Sequence, residues 1–469
     1  MLPVYTNYLR PADYGIIAIL DFTTAILAIT IGSGMVNAVT RYSFAAKNEV
    51  ERNQVWWTGV TYIAGISTMI LLPAIVFRDS LASMTLGSSV SQGGFYLALV
   101  LPTMWINIVQ AIPDAYLRVR KWSGVSVAVN MFRLIFNISL NVAFLVIWEL
   151  GVTGVLLGNL IAVVVTAAIQ FIIFSRQVQS FDFSSPHLTK LLQFGMPLIA
   201  TTLLALVMHQ ADRYILRLFV GLDQVGIYAL AYTVGRGVFS LCLMPFSMIW
   251  SVVIYEIAKR PDAKQIYAQV FEYVIYGLGL IMLGVALFSE NLLSLMVEPD
   301  YLPAAQIIPI ICLAYIFFGM HDHFRVPVLL EKKTVTLVPV FLAGALFNVG
   351  ANFLVIPIFG MYGAAWTSVL TYVGFSLIGL WRYRRIDRYD YPFGRCAFAL
   401  GGMILTYIGF HWLSHSQDPL SSDIGLGIFM WLLWLFILFG TSIRKLMTNG
   451  TMMDFKTALL FIKSQANRS

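Results

Sequence analysis

The sequence predicts an all-α, polytopic membrane protein built as two six-helix lobes in parallel repeat plus two C-terminal helices. Three observations carry that expectation: a composition that water does not suit, a train of apolar runs each long enough to cross a bilayer, and residue patterns that recur at one spacing. Apolar residues make up 59% of the 469 positions and charged residues only 11%, against the roughly half-apolar, quarter-charged balance of soluble domains. Mean hydropathy is +0.80. No stretch is left over for a soluble catalytic domain.

The net charge of +7 and pI near 9.2 do not point to nucleic acid, because the Lys and Arg are scattered through short joints rather than gathered on one face. Cys242, Cys312 and Cys396 lie in separate apolar segments without CxxC spacing, so neither a disulfide framework nor a zinc site is implied.

A membrane-crossing helix needs about 20 mostly apolar residues. Such runs fall near 15–38, 56–77, 93–116, 124–148, 151–174, 191–215, 225–255, 267–296, 302–324, 334–358, 361–381, 393–413 and 423–442. The stretch Met1 to Arg10 is too short to cross by itself. It reads as the outer end of one more helix, which gives a natural count of fourteen with an incomplete first helix. The N-terminus lacks a basic region, apolar core and small-residue cleavage site in series, so no signal peptide is expected.

Short cytoplasmic joints collect Lys and Arg, and the joints here sort into two sets. One set holds Arg41, Lys47 and Arg52, then Arg118, Arg120 and Lys121, Arg176 and Lys190, Lys259, Arg260 and Lys264, and Arg325, Lys332 and Lys333. The same set takes Arg382, Arg384, Arg385, Arg388 and Arg395, and the tail from Arg444. The opposite set has Arg10, Arg78 and Arg217, with Asp223, Glu298, Asp300, Asp418 and Asp423. A cytoplasmic C-terminus follows.

Two segments match at an offset of 211. Tyr14-Gly15-Ile16-Ile17-Ala18-Ile19 resembles Val225-Gly226-Ile227-Tyr228-Ala229-Leu230, and Phe136, Asn137 and Asn141 resemble Phe347, Asn348 and Asn352. Gly151-Val152-Thr153-Gly154-Val155 parallels Gly360-Met361-Tyr362-Gly363-Ala364 after a two-residue slip. An even number of helices per unit makes the repeats parallel. The expected division is an N-terminal lobe over 1–180, a C-terminal lobe over 186–385, two extra helices over 393–443 and a cytoplasmic tail over 444–469.

Three stretches now resemble a known family: NYLRPADYGIIAI (Asn7 to Ile19), ADRYILRLFVGLDQVGIYALAY (Ala211 to Tyr232) and FNVGANFLVIPIFGMYGAAWTS (Phe347 to Ser368). The chain looks like the polysaccharide flippase branch of the superfamily that also holds the multidrug and toxic compound extrusion (MATE) transporters and the lipid II flippase. That resemblance covers essentially the whole chain and departs from the family pattern in the first helix. It implies a MATE-like fourteen-helix, alternating-access transporter of the bacterial inner membrane. Its cargo would be undecaprenyl-diphosphate-linked oligosaccharide, such as an O-antigen, capsule or exopolysaccharide repeat unit, carried through a central cationic cavity. A polysaccharide polymerase and a chain-length regulator are the partners such a pathway implies, alongside membrane lipid.

An ionisable group near the bilayer centre costs about 2.5–3.5 kcal/mol on insertion scales and so normally faces a cavity or a partner. Arg133 and Arg236 each lie about ten residues into a helix, roughly 15 Å deep. They are cavity candidates, because guanidinium offers a two-pronged fork to phosphate and carboxylate; a structural Arg paired with a carbonyl or an acid is the alternative. Asp21 maps by the offset to Tyr232, one turn from Arg236, so an acid–base pair across the cavity is a further candidate, for proton or sodium coupling or for structure alone. Arg213 and Arg217, with Asp212 and His209 nearby, sit at the outer end of the seventh helix, either to guide an anionic headgroup or to form an interfacial pair. Asn137 and Asn141, and likewise Asn348 and Asn352, share a face four residues apart and suit interhelical hydrogen bonds. His321-Asp322-His323 is a poor metal motif, since residues two apart on a helix diverge. Pro245 and Pro357 suggest a kink and a helix end.

No cofactor is implied, and the absence of GxxxxGK[ST], HExxH and GxSxG patterns argues against ATP hydrolysis and common hydrolase chemistry. Two other functions compete: an efflux antiporter for small organic cations, and a membrane glycosyltransferase or polymerase of the same pathway. Arginines in the cavity disfavour the first, and outer joints too short to hold a catalytic centre disfavour the second.

Overall fold

Each apolar run folds as a helix. The computed structural model describes residues 1–178, 181–414 and 422–449, so the tail expected over 444–469 lies outside the described residues from 450 onward. The helices are α1 (Leu2–Tyr8), α2 (Pro11–Ala45), α3 (Glu49–Val76), α4 (Arg78–Thr85), α5 (Gly93–Val119), α6 (Ser123–Val142), α7 (Gly151–Gln177) and α8 (Ser185–Phe219). They continue with α9 (Leu222–Ile257), α10 (Ala263–Leu287), α11 (Ser289–Ser294), α12 (Ala304–Phe324), α13 (Val326–Leu330), α14 (Leu337–Tyr383), α15 (Phe393–Leu413) and α16 (Ser422–Asn449). Among the described residues eleven helices are long and apolar enough to cross a membrane. One of these, α14, breaks at Gly360 into two helical segments, and α16 carries a shorter apolar stretch over Ile424–Leu438, so each of the thirteen runs read from the sequence has a helix.

Helix ends fall where local chemistry puts them. Pro11 occupies the first turn of α2, where its missing N–H costs nothing, and the Asp13 carboxylate accepts from the Arg10 N–H at 3.1 Å. Asn48 caps α3 by accepting from the Glu51 N–H at 2.8 Å. Pro245 is accommodated within α9. Gly360 takes φ 57° and ψ −138°, a conformation closed to side-chain-bearing residues. Gln224 at the start of α9 steadies the break by accepting from the Met361 N–H at 3.2 Å.

One bundle packs α2, α3, α5, α6 and α7 together, and a second packs α8, α9, α10, α12 and α14, with α15 and α16 laid against α10. The helix α2 joins them, running along both α8 and α9. Residues related by the 211 offset do equivalent work in the two bundles. The Asn141 amide donates to Asn137 Oδ1 at 3.1 Å, and the Asn352 amide donates to Asn348 Oδ1 at 3.0 Å. Gly151 and Gly360, related by the slipped offset, have φ of +55° and +57°. Between Asn141 and Gly151 the end of α6 runs as a π-helix over Ala143–Ile147, whose wider turn takes in an extra residue, so part of the slip falls there.

The segment between the bundles is tied to α3. Trp57 Nε1 donates to the Val178 carbonyl at 2.9 Å, Gln54 donates to Asp182 at 2.6 Å, and the Ser184 N–H donates to Thr58 at 3.0 Å. The short α1 is also fixed, through Asn141 donating to the Tyr5 hydroxyl at 2.8 Å.

Candidate substrate path

The two bundles meet at both ends of α2. At the end the charge pattern assigns to the outside, Gly15 of α2 faces Gly226 of α9. A β-carbon on Gly15 would lie 2.2 Å from the Leu222 carbonyl oxygen, and one on Gly226 would lie 1.8 Å from that of Pro11. Pro11 and Leu222 are themselves 211 apart, so the crossing has the same parts on both sides. Just inside it the Tyr14 and Thr233 hydroxyls stand 3.5 Å apart. At the other end Gly34 approaches Gly195 of α8 closely enough that a β-carbon would lie 2.1 Å from its carbonyl oxygen, and Arg41 lies over the Phe194 ring at 4.5 Å.

Between these seals the helices carry polar groups. A cavity of about 620 Å³ opens among α2, α5, α6 and α7, and Asp21, Asn107, Asn130, Arg133, Asn137 and Asn159 line it. Arg133 donates to Asn107 Oδ1 at 2.7 Å, and Asn137 donates to Asn159 Oδ1 at 2.7 Å. The structure therefore places Asp21 and Arg133 in one cavity.

Arg236 is exposed midway along α9. It lies one turn below Thr233, on the side that meets Tyr14 of α2, and among the described residues no carboxylate stands within 4.0 Å of it. Asp21 and Arg236 are thus not ion-paired in this conformation.

Arg213 and Arg217 are parted. Arg213 is buried, with its guanidinium 5.2 Å from the centre of the Tyr232 ring. Beside it a fully buried Asp212 accepts from the Tyr228 hydroxyl and from the Arg213 N–H at 2.8 Å, and His209 bonds the Tyr372 hydroxyl. Arg217 lines an outer recess of about 830 Å³ with Ser88, Ser89, Ser91, Gln92 and Asp223, and donates to the carbonyls of Met84 at 3.0 Å and Ser83 at 3.3 Å.

Sequence reading missed the asparagines at 107, 130 and 159 and the tyrosines around Asp212. The depth argument applied to Arg133 reaches Asn107 as well, but an asparagine in a membrane helix has so many structural uses that depth alone does not single it out. His321, Asp322 and His323 are engaged separately: His321 bonds Tyr383 at 3.0 Å, Asp322 pairs with Arg325 at 3.2 Å, and His323 packs among Phe246, Trp250 and Phe271. Among the described residues no group of three His, Cys, Asp or Glu is placed to hold a metal.

Two bundles of long apolar helices joined by α2, with a polar cavity among α2, α5, α6 and α7, are the architecture of a multi-pass membrane protein. The family model described as polysaccharide biosynthesis protein matches residues 1–250, more than half the chain, and the chain belongs to that family. No curated protein sequence matches it. Its fold is that of the lipid II flippase MurJ in an inward closed conformation, at 14% identity, covering 94% of this chain and 96% of that one, with a TM-score of 0.69. A multidrug resistance MATE family transporter of the MOP superfamily, inward-facing, follows at 16% identity, 82% and 93% coverage and a TM-score of 0.65. An outward-facing MATE transporter of that superfamily gives 0.55 at 16% identity, with 82% and 91% coverage.

Proposed function

We propose that this protein flips undecaprenyl-diphosphate-linked oligosaccharide repeat units across the inner membrane by alternating access, for surface polysaccharide biosynthesis. The observation that carries the reading is Arg236, an exposed guanidinium midway along a span with no carboxylate within 4.0 Å among the described residues. With Arg133 in the cavity it puts positive charge on both bundles, matched to a diphosphate or an acidic sugar. The family match to polysaccharide biosynthesis protein and the flippase fold of a neighbour support the same cargo class.

The lobes in this reading are 1–180 and 186–385, followed by two helices over 393–443 and a cytoplasmic tail. The positive joints face the cytoplasm, which places the Gly15–Gly226 seal outside. Opening at the α8 start, where Gly34 meets Gly195, admits the lipid-linked headgroup, and opening at Gly15–Gly226 releases it. The polymerase and chain-length regulator of the pathway are the downstream partners. Asp21 in the cavity favours one second reading, a cation or drug antiporter of the MATE type, against which Arg133 and Arg236 count.

The experiment is to delete the gene and extract lipid-linked glycans. Undecaprenyl-diphosphate oligosaccharide accumulating on the cytoplasmic face, with loss of surface polysaccharide, is the expected result. Unchanged glycan export together with new sensitivity to cationic dyes overturns it in favour of the antiporter.

A further inference from the structure

The densest basic run in the chain lies away from the substrate path. Arg382, Arg384, Arg385 and Arg388 cluster where α14 ends and the turn to α15 begins. A cleft of about 420 Å³ opens there, lined by Leu377, Leu380, Trp381, Arg384, Arg385 and Arg388. Its two halves differ in chemistry. Leu377 and Trp381 are 58% and 59% exposed, on a helix that crosses the membrane, so lipid covers them. Above them Arg385 lies over the Trp381 ring at 4.0 Å and Arg384 over the Phe393 ring at 5.4 Å. Ring contacts of this kind hold the planar guanidinium in place without occupying its N–H donors.

Among the described residues that charge is largely uncompensated. Among the described residues no carboxylate stands within 4.0 Å of Arg384 or Arg385, and Arg388 has only the exposed Asp390 at 3.7 Å. The nearby Asp387 is engaged by Lys264.

We infer that this cleft is a binding site for an anionic glycerophospholipid of the adjoining leaflet. The phosphate sits among Arg384, Arg385 and Arg388, and the acyl chains lie along Leu377 and Trp381. Apolar side chains one turn below a set of uncompensated forks match the order of chemistry in such a lipid, chains below and phosphate above. A lipid held there fastens the α14–α15 turn to the membrane surface. The inference concerns a surface outside the cargo path and stands whatever the cargo is.

The test uses full-length protein purified in detergent and native mass spectrometry with added phosphatidylglycerol or phosphatidylethanolamine of the same acyl composition. Wild type is expected to retain phosphatidylglycerol in preference. The triple variant Arg384→Gln, Arg385→Gln, Arg388→Gln should lose on the order of a hundredfold in that binding, at roughly fivefold per arginine. A control pair, Lys332→Gln with Lys333→Gln, should change it by less than about twofold, since those lysines lie outside the cleft. If the triple variant does not give a monodisperse sample, the single Arg385→Gln carries the test at its roughly fivefold loss. Equal phosphatidylglycerol binding by wild type and variant overturns the site. Displacement of phosphatidylglycerol from wild type by an equimolar polyprenyl diphosphate also overturns it, by making the carrier lipid the occupant.

Discussion

Gly15 and Gly226 face each other across the junction of α2 and α9, and each makes room for the other's backbone rather than for a side chain. A β-carbon at either position would overlap a carbonyl oxygen of the opposite helix, at 2.2 Å and 1.8 Å, so the two helices touch at this depth only because both residues are glycine.

Gly226→Leu should therefore force the expected outer seal apart. Glycan export is expected to fall to near background while protein level holds. A Thr233→Cys reporter just inside the seal should become reactive to a membrane-impermeant maleimide added from outside. Equal labelling with and without Gly226→Leu would remove the seal from this crossing.

Charge reversal at Arg236 tests the path itself. Arg236→Glu is expected to abolish surface glycan with protein level intact, and Arg236→Lys to retain part of the activity, since lysine keeps the charge but not the fork. Both are measured by surface-polysaccharide immunoblot beside a protein blot. Normal export in Arg236→Glu would sink the proposed cargo path.

Asp212 gives a stability prediction. Its carboxylate is fully buried and takes its side-chain hydrogen bond from Tyr228, so Tyr228→Phe leaves a buried acceptor short of a donor. A cost of about 1–3 kcal/mol is expected, read as a lower midpoint in thermal unfolding of the purified protein.

Gly360→Ala should be destabilising by about 1–3 kcal/mol from its backbone conformation alone, and the new methyl would also meet Gln224 Oε1 at 2.7 Å. Gly350→Ala, in the same helix with nothing within 4 Å of the new carbon, should be neutral or stabilising by up to about 1 kcal/mol. Melting both variants side by side separates the turn from a general effect of glycine replacement in α14.

The fold was legible because bilayer physics writes it in plain terms: spans are long apolar runs, and their joints carry the charge bias. The repeat was legible at its glycines and asparagines because those residues do backbone and interhelical work that few others can. The two-residue slip was visible in the sequence, but the π-helix that accompanies it was not, since the stretch Ala143–Ile147 has no distinctive composition. The site was less legible. Depth flagged Arg133 and Arg236, yet the partners of a side chain depend on rotation and packing between helices. Spacing alone therefore grouped Arg213 with Arg217 and Asp21 with Arg236, whereas the structure buries Arg213 beside Asp212 and Tyr232, leaves Arg217 at the outer recess and sets Asp21 with Arg133.

The one-residue turn at Gly360 also bears on biogenesis. No charged residue occurs from Thr334 to Trp381, so nothing polar enough to pause at the membrane surface separates the two halves of α14. They are expected to leave the insertion machinery together as a preformed hairpin. The basic residues on its two flanks, Lys332 and Lys333 before it and Arg382 to Arg388 after it, would then anchor both ends to the same surface.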